Sequence, residues 1–181
     1  LVVPRPIGWI GTRSGDGSDN LAPYSFFNVV AGSPPTVLFA PGMRVRVKDT
    51  LANVRETGVF TVNIVDEELA EAMNITSGDH PPDVDEFGLA GLDKVEAVDV
   101  AAPMVAAAPA NLECRVTHVH EIGEGPDASV VFGTVLRLHI SPDILDGTRI
   151  DFTRLRPVGR LAGSWYWRGG ELFEMPRPQI D

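Results

Sequence analysis

Glycine and proline interrupt the longer apolar stretches of this chain and so limit the length of its regular elements. The sequence has 18 glycines and 15 prolines in 181 residues. Proline disrupts helix interiors and sheet ladders and glycine favours turns, so many short strands are expected rather than long helices. The uncharged span from Asn20 to Met43 is long enough to cross a bilayer. Prolines break it at Pro23, Pro34, Pro35 and Pro41, which favours a β region of a soluble protein.

Alternation of apolar and polar residues predicts where the strands lie. In Val59–Val65, for example, it places Phe60, Val62 and Ile64 on one face. Turn residues at Ser14–Gly17 predict a hairpin after the first strand. The predicted strands are Ile7–Arg13, Phe26–Ala31, Thr36–Ala40, Val59–Val65, a segment in which Leu112, Cys114, Val116 and His118 share one face, and Ser129–Ile140, which is apolar at nearly every even position.

Two segments have the spacing of short helices. Lys48–Thr57 is expected to be capped by Asp49 or Thr50 and to end at Gly58. Glu67–Ile75 is expected to be a second helix, capped by Asp66.

The remaining segments are expected to be irregular. Thr76–Lys94 is polar and acidic and is predicted to be a long surface loop, which could cover a site or a neighbouring subunit. Ala101–Ala110 is expected to be a connector or an edge. Strands and helices do not alternate, which excludes a doubly wound parallel sheet. The predicted fold is therefore a closed antiparallel barrel with helical excursions, in one domain over residues 1–181.

Charge and cysteine content restrict the partners and the compartment. The net charge is −10, so nucleic acid and anionic membranes are expected to be repelled. An anionic ligand would need a local cluster of donors. Cys114 is the single cysteine, which rules out an intrachain disulfide and indicates a reducing, cytoplasmic compartment. The first residues do not have the pattern of a signal peptide, and since no initiator Met is present, further residues are expected before Leu1.

Two stretches have the chemistry of a ligand site. In Lys48–Asn53 the start of a helix, an ammonium group and the Thr50 hydroxyl could together bind a phosphate. The alternative is a capped helix with a solvated lysine. In Asn20–Ser25, Pro23 cannot donate within a ladder, so backbone groups are expected to face a planar heterocycle. The alternative is a strand end at the edge of the barrel.

Other candidate groups favour structural roles. His118 and His120 have a spacing that can bind a metal, but no third ligand has a suitable position, so no metal site is predicted. Cys114 lies between apolar residues of one strand face and is interpreted as a core residue rather than a nucleophile. The acidic residues of Thr76–Lys94 are interpreted as solvated rather than as paired catalytic acids.

Seven motifs in order give the chain a family resemblance. Together they resemble the flavin reductase-like family of FMN-binding split barrels, which includes flavoredoxin-like proteins and NAD(P)H:flavin oxidoreductases. The resemblance covers nearly the whole chain. The motifs are Pro4–Trp9, Asn20–Ser25, Ser33–Pro35, Lys48–Thr50, Val62–Asn63, Asp85–Phe87 and Arg160–Tyr166.

The resemblance implies a mainly β fold, a six-stranded antiparallel split β-barrel with short helical excursions, which forms a homodimer with FMN near the interface. Arg160 would lie near the flavin or the nicotinamide, beside an aromatic group of Trp165, Tyr166 and Trp167, of which the family commonly keeps only the tyrosine. The implied cofactor ligands are Asn20, Leu21, Ala22, Pro23 and Ser25 along the isoalloxazine, Lys48 and Thr50 at the phosphate, and Thr12 and Ser33 nearby.

The expected function is that of an FMN-dependent reductase. NADH or NADPH would reduce the flavin, and electrons would pass to free flavin, oxygen or a partner oxygenase, with Arg160 and Tyr166 at the nicotinamide. One alternative is a non-enzymatic electron carrier that binds FMN, and another is a split barrel that binds a deazaflavin or a haem. A homodimer is expected on independent grounds, because Thr36–Ala40 and Ser129–Ile140 are apolar on both faces.

Overall fold

The computed structural model describes residues 1–42, 48–122 and 129–179. Within these ranges, short strands and a few short helices follow one another along the chain, with β9 and β10 as the longest elements. The strands are β1 (Arg5–Pro6), β2 (Gly8–Arg13), β3 (Asp19–Tyr24), β4 (Phe27–Gly32), β5 (Pro35–Phe39), β6 (Val59–Ile64), β7 (Lys94–Glu96), β8 (Pro103–Val105), β9 (Ala110–Glu121), β10 (Ser129–Ile140), β11 (Leu145–Asp146), β12 (Arg149–Ile150), β13 (Val158–Arg160) and β14 (Tyr166–Arg168). The helices are α1 (Asp49–Thr57), α2 (Ala70–Ile75), α3 (Glu86–Leu89), a 3₁₀ turn at Pro142–Ile144, and α4 (Phe152–Leu155).

The main sheet is antiparallel and curls into a barrel. In the described part of the chain its strand order is β3-β2-β6-β9-β10-β5-β4, and β1, β13 and β14 form a separate three-stranded sheet. Tyr24 of β3 and Phe39 of β5 come from strands far apart in this order, yet their rings stack with centroids 5.3 Å apart. The mainly β architecture is therefore confirmed, although the main sheet has seven described strands instead of six.

Strands β2 and β3 separate two apolar cores. Ile10 faces the barrel interior with Phe39, Phe60 and other side chains of the sheet and α1. Trp9, which directly precedes Ile10 in β2, points to the opposite face of the strand. There it packs with Leu21 and side chains of α2, α3, β8 and β13. This explains why β2 is buried at five of its six positions, and it places β3 between the barrel and the outer layer.

Two bulges change the faces expected for β9 and β10. Phe132 is paired with His118 but Gly133 is paired with Val116, so Thr117 is an extra residue in β9. The bulge moves His118 off the face of Cys114 and Val116, and the prediction that these residues share a face is wrong for His118. A second shift between Val135 and Arg137 likewise interrupts the alternation predicted for β10.

The first two helices end at the predicted residues, but their amino-terminal caps differ from the predicted ones. Gly58 ends α1 with φ of 72°, a left-handed conformation that glycine adopts without steric cost. The N-cap position is Lys48, and the Thr50 hydroxyl instead accepts a hydrogen bond from Tyr24 Oη at 2.8 Å. The expected capping by Asp49 or Thr50 is therefore wrong. Asp66 accepts from the Leu69 N–H at 3.0 Å in the turn that leads into α2. The helix itself begins at Ala70 with Leu69 as its N-cap and no side-chain cap, so the predicted start at Glu67 and the predicted cap by Asp66 are wrong.

The segment Thr76–Lys94 is more than a surface loop. It contains α3, which Asp85 caps by accepting from the Phe87 N–H. Phe87 is fully buried in the outer core, because its apolar ring fills the space between α2 and β3.

No helix of the described ranges is long and apolar enough to cross a membrane.

Candidate functional site

A cavity of about 300 Å³ lies between the amino-terminal strand, the end of β3 and the β13–β14 hairpin. A larger cavity of about 730 Å³ adjoins it and shares Ser77, Arg160 and Tyr166 as lining residues. Cavities of these sizes are in the range of ligand pockets. The smaller cavity is lined by Arg5, Ile7, Pro23, Ser25, Met73, Ser77, Arg160 and Tyr166.

Strand pairing places the two arginines side by side. Arg5 of β1 is the register partner of Arg160 of β13, and Arg160 is in turn paired with Tyr166 of β14. The Arg160 guanidinium carbon lies 4.3 Å from the centroid of the Tyr166 ring, a cation–π contact. Tyr166 Oη donates to Asn74 Oδ1 of α2 at 3.3 Å. The hairpin is thus joined to the helix that forms the opposite wall.

Arg5 connects the amino-terminal strand to the rest of the site. Its Nε donates to Ser25 Oγ at 3.2 Å, and its Nη2 donates to the Leu161 carbonyl at 2.8 Å. The Nη1 donates to the Val2 carbonyl at 3.2 Å. Ser25 follows β3 directly, so this contact orients a residue that the sequence predicted at the flavin.

The edge of β3 presents backbone groups toward this region. Among the described strands β3 is paired only with β2, so one of its edges has no neighbouring strand. The Leu21 N–H on that edge donates to Glu86 Oε2 at 3.1 Å. Residues alternate along a strand, so Pro23 and Ser25 share this edge, as expected from the proline.

Glu86 is a buried carboxyl beside this edge. It is 7% exposed and lines a small polar cavity of about 120 Å³ together with Asn20 and Asn53. Burial raises the pKa of Glu86, while the hydrogen bond from the Leu21 N–H opposes that shift. The Asn20 Nδ2 is buried and has no hydrogen-bond partner in the described part of the chain.

Lys48 is positioned at the amino end of α1. Its side chain makes no capping hydrogen bond to the helix, and its Nζ lies 2.5 Å from Asp79 Oδ1. Asp79 is two residues from Ser77, which lines both cavities. The amino end of α1 and the wall of the site are therefore linked by this ion pair.

The other predicted cofactor ligands have different surroundings. Thr12 is fully buried and its Oγ1 accepts from Asn53 Nδ2 at 3.0 Å. Thr50 is also fully buried, and Ala22 packs against the barrel core. Ser33 is exposed in the turn between β4 and β5 and lines neither of the two adjoining cavities. The structure therefore brings together Pro23, Ser25, Arg160 and Tyr166.

Sequence reasoning missed several lining residues. Arg5 and Ile7 lie within the Pro4–Trp9 motif, which could have indicated them. Met73 comes from the second predicted helix, which was not linked to the site, and Ser77 from the segment Thr76–Lys94, which was expected to be a loop that could cover a site, without any residue being singled out for this role. Cys114 is fully buried, and burial raises the pKa of its thiol to about 12, which excludes it as a nucleophile. The described residues contain no group of three or more His, Cys, Asp or Glu suited to a metal.

Known proteins are similar to this chain in sequence, in fold or in both, as three of them show. Nitrilotriacetate monooxygenase component B from Bacillus cereus is 34% identical with a TM-score of 0.90, over 96% of this chain and 88% of that one. A 2-nitrobenzoate 2-nitroreductase from Pseudomonas fluorescens is 31% identical with a TM-score of 0.87, over 98% and 86%. An NADH-dependent FAD reductase from Streptomyces globisporus is 33% identical over 114 residues, which is 61% of this chain and 57% of that protein.

These likenesses define the class as split-barrel proteins of the flavin reductase type, which confirms the expected fold class and resemblance. The flavin reductase like domain matches residues 2–157, and the chain belongs to this flavin-binding family. The match ends before Arg160 and Tyr166, so their assignment to the site rests on the cavity that they line.

Proposed function

We propose that this protein is an FMN-dependent reductase that takes electrons from NADH or NADPH and passes them to free flavin, oxygen or a partner oxygenase. The observation that carries the proposal is the cavity beside β3, where three apolar side chains meet two serines, a tyrosine and two arginines on a flavin reductase fold. The similarity to a monooxygenase component B and to an NADH-dependent reductase supports an electron-supplying role.

The lining residues fit a flavin. Ile7, Pro23 and Met73 provide apolar surface for a flat ring. At its polar edge Ser25 provides a hydroxyl donor, and Ser77, whose hydroxyl donates to the Asn74 carbonyl, provides an acceptor. A bound flavin would supply the two-electron chemistry. On the outer edge of β3, which lacks a strand partner, the Pro23 carbonyl is the group proposed to face the flavin. Asn20 and Ala22 have backbone groups that face β2, and the Leu21 N–H is bound to Glu86, so these three residues are proposed to shape the site rather than to donate to the flavin.

The amino end of α1 is the proposed phosphate site. Its first-turn N–H groups and Lys48 can bind an anion together, and Lys48 would exchange its contact with Asp79 for the phosphate. Thr50 would contribute its backbone N–H, since its hydroxyl is engaged by Tyr24. Thr12 and Ser33 remain more peripheral parts of the proposal.

Arg160 and Tyr166 are proposed to orient the nicotinamide. The guanidinium stacked on the phenol ring is held in one orientation, and it faces the cavity that adjoins the proposed flavin site. Hydride transfer requires close positioning of the two rings, which these side chains would enforce by excluding other arrangements.

Spectroscopic titration tests the proposal. The purified protein is titrated with FMN, FAD and riboflavin, and the loaded protein is then mixed anaerobically with NADH or NADPH while the flavin band is recorded. We expect FMN to bind most tightly and the band to bleach within seconds. A protein that binds FMN but is bleached by neither nicotinamide would be an electron carrier, and one that binds no flavin would contradict the proposal altogether.

A second candidate activity is the reduction of an aromatic nitro compound that bears a carboxylate. Arg5 and Arg160 favour it, because guanidinium groups bind carboxylates in a bidentate manner and both line the cavity. The similar Pseudomonas protein is a 2-nitrobenzoate 2-nitroreductase. Anaerobic assay of the reduced protein with 2-nitrobenzoate and with uncharged nitrobenzene tests it, and equal rates would contradict a role of the carboxylate.

The proposal extends to assembly and location. A homodimer is proposed from an open apolar groove of about 510 Å³, lined by Phe27, Leu138, Ile140, Trp167 and others. A cytoplasmic location is supported by the single, buried Cys114, which suits a reducing compartment.

A further inference from the structure

Arg5 and Arg160 form an unusual pair. They are direct cross-strand partners of β1 and β13, where the Cβ atoms of opposite residues are roughly 5 Å apart. Like charges at such positions destabilise a sheet. Both side chains nevertheless line the same cavity, so two positive charges converge on one space.

Carboxylates do not neutralise this pair. In the part of the chain that the structure describes, neither guanidinium lies within 4.0 Å of a carboxylate oxygen; their polar partners are carbonyl groups and Ser25. The net charge of −10 makes this notable, because acidic side chains are abundant. Seven other cations in the described ranges do have acidic partners: Arg13, Lys48, Arg55, Lys94, Arg137, Arg154 and Arg156.

The guanidinium groups are oriented before any ligand arrives. Arg5 is held by hydrogen bonds to Ser25 and to the Leu161 carbonyl, and Arg160 by the Tyr166 ring and the Gly163 carbonyl. A guanidinium has five N–H donors, so each of these groups keeps donors for a further acceptor. Their fixed position lowers the entropy that binding would lose.

We propose that Arg5 and Arg160 act together as an oxyanion-binding pair for the substrate that meets the flavin. This inference rests on the proposed function and adds Arg5 to the site. The ligand chemistry is an anion with at least two exposed oxygens, which guanidinium groups bind in a bidentate manner. It could be the pyrophosphate of a nicotinamide dinucleotide or the carboxylate of an aromatic acceptor, and the two sources are separable by experiment.

The test measures anion binding directly. The protein as purified, with its flavin content recorded from the spectrum, is titrated in a calorimeter with inorganic pyrophosphate and, separately, with benzoate. The comparison uses wild type, Arg160→Gln, Arg160→Lys and Arg5→Lys. Arg115→Gln is the matched control, since Arg115 is an exposed arginine of β9 that lines neither cavity.

We expect wild type and Arg115→Gln to bind at least one anion equally, and the variants at both arginines to bind it about tenfold or more weakly, the scale of a lost charge-assisted hydrogen bond. Loss of pyrophosphate binding would assign the pair to the nicotinamide dinucleotide, and loss of benzoate binding to an aromatic acceptor. Wild type that binds neither anion, or variants that bind like wild type, would overturn the proposal.

Two controls separate this result from folding and from the proposed function. Arg160→Gln removes one of two adjacent like charges, so the melting temperature of this variant without ligand should equal or exceed that of wild type. If Arg160 only supported the structure, its replacement would instead lower the melting temperature. Arg160→Lys retains the charge and loses the planar fork. Absence of flavin from the spectrum and from titrations would contradict the proposed function, while the anion titrations would still decide on the arginine pair.

Discussion

At the residue scale, Glu113 is the most completely enclosed carboxylate described in the chain. It is fully buried in β9 and accepts from the consecutive backbone N–H groups of Val98, Asp99 and Val100. His139 Nε2 lies 2.6 Å from its Oε1. The carboxylate therefore organises the loop before β8, and replacement would leave one buried and two partly buried N–H groups without this acceptor.

Glu113→Ala should lower the free energy of unfolding by about 2 to 4 kcal/mol, because a buried N–H left without its acceptor costs roughly 1 to 3 kcal/mol and the partly buried ones add to this. Denaturant unfolding of wild type, Glu113→Ala and Glu113→Gln measures it, with Gln expected to cost less because it keeps one acceptor. An alanine variant as stable as wild type would show that the loop is held by other contacts.

The same carboxylate predicts a pH dependence. Burial alone would raise the pKa of Glu113, but the bonds from His139 and the Val98 and Asp99 N–H groups outweigh it and lower the pKa below its ordinary value. A folded pKa below the unfolded one stabilises the native state above the unfolded pKa, and this stabilisation is lost as pH falls through the folded value. The gap in stability between wild type and Glu113→Gln should therefore narrow below about pH 4.

Glu86 has a pKa that is shifted in the opposite direction from that of Glu113. Its pKa is raised, mainly by burial, so the native state loses stability as pH rises from the unfolded pKa through the folded one. Glu86→Gln removes the buried charge and keeps an acceptor for the Leu21 N–H. We expect the variant to be more stable than wild type at pH 7 and equally stable at pH 3. Thermal unfolding at the two pH values measures this, and a destabilised variant at pH 7 would contradict it.

At the scale of elements, the amino end of α1 differs from an ordinary capped helix. The Thr50 side chain is drawn into the barrel by Tyr24, and the Lys48 side chain reaches across to Asp79 instead of capping the helix. Tertiary contacts therefore override the local capping chemistry that the sequence favoured. The first turn has the Lys48 ammonium beside it and contains Asp49, so the proposed phosphate site requires Lys48 to leave Asp79.

Lys48→Ala should weaken FMN binding by about 1 to 3 kcal/mol, the value of a hydrogen bond to a charged group. Riboflavin binding should not change, because riboflavin carries no phosphate. Fluorescence quenching gives both affinities. Lys94→Ala is the control, since Lys94 is also paired with carboxylates but lies outside both cavities. Equal affinity of wild type for FMN and riboflavin would contradict the proposed phosphate site at the amino end of α1.

At the scale of the whole molecule, apolar surface remains uncovered at one side of the barrel. Leu138 is 59% exposed although it lies in the longest strand pair, and it borders the open apolar groove with Ile140. Burial of such surface is the main favourable term in association. This supports the proposed homodimer.

Leu138→Glu should convert the proposed dimer to a monomer, because a carboxylate would have to be desolvated within the proposed interface. Sedimentation velocity at micromolar concentration measures the change. Val98→Glu serves as the control, since Val98 is 67% exposed and does not line the groove. Wild type that sediments as a monomer with flavin bound would refute the dimer.

The sequence by itself determined the local features that depend on neighbouring residues. The alternation in Val59–Val65 and the glycine at Gly58 gave β6 and the end of α1 nearly at their observed bounds, since side-chain period and left-handed conformation are local properties. The motif order indicated the family, and Pro23, Ser25, Arg160 and Tyr166 were selected and do line one cavity.

Only the tertiary structure decided which residues meet. The bulge at Thr117 places His118 on the opposite face of β9 from the one predicted. Phe87, which was expected in a surface loop, is buried in the outer core. Arg5 became the neighbour of Arg160 through strand pairing across 155 positions of the chain, which no local pattern encodes. The physical reason is that pairing register and burial are set by contacts distant in sequence, and these choose among local preferences of similar energy.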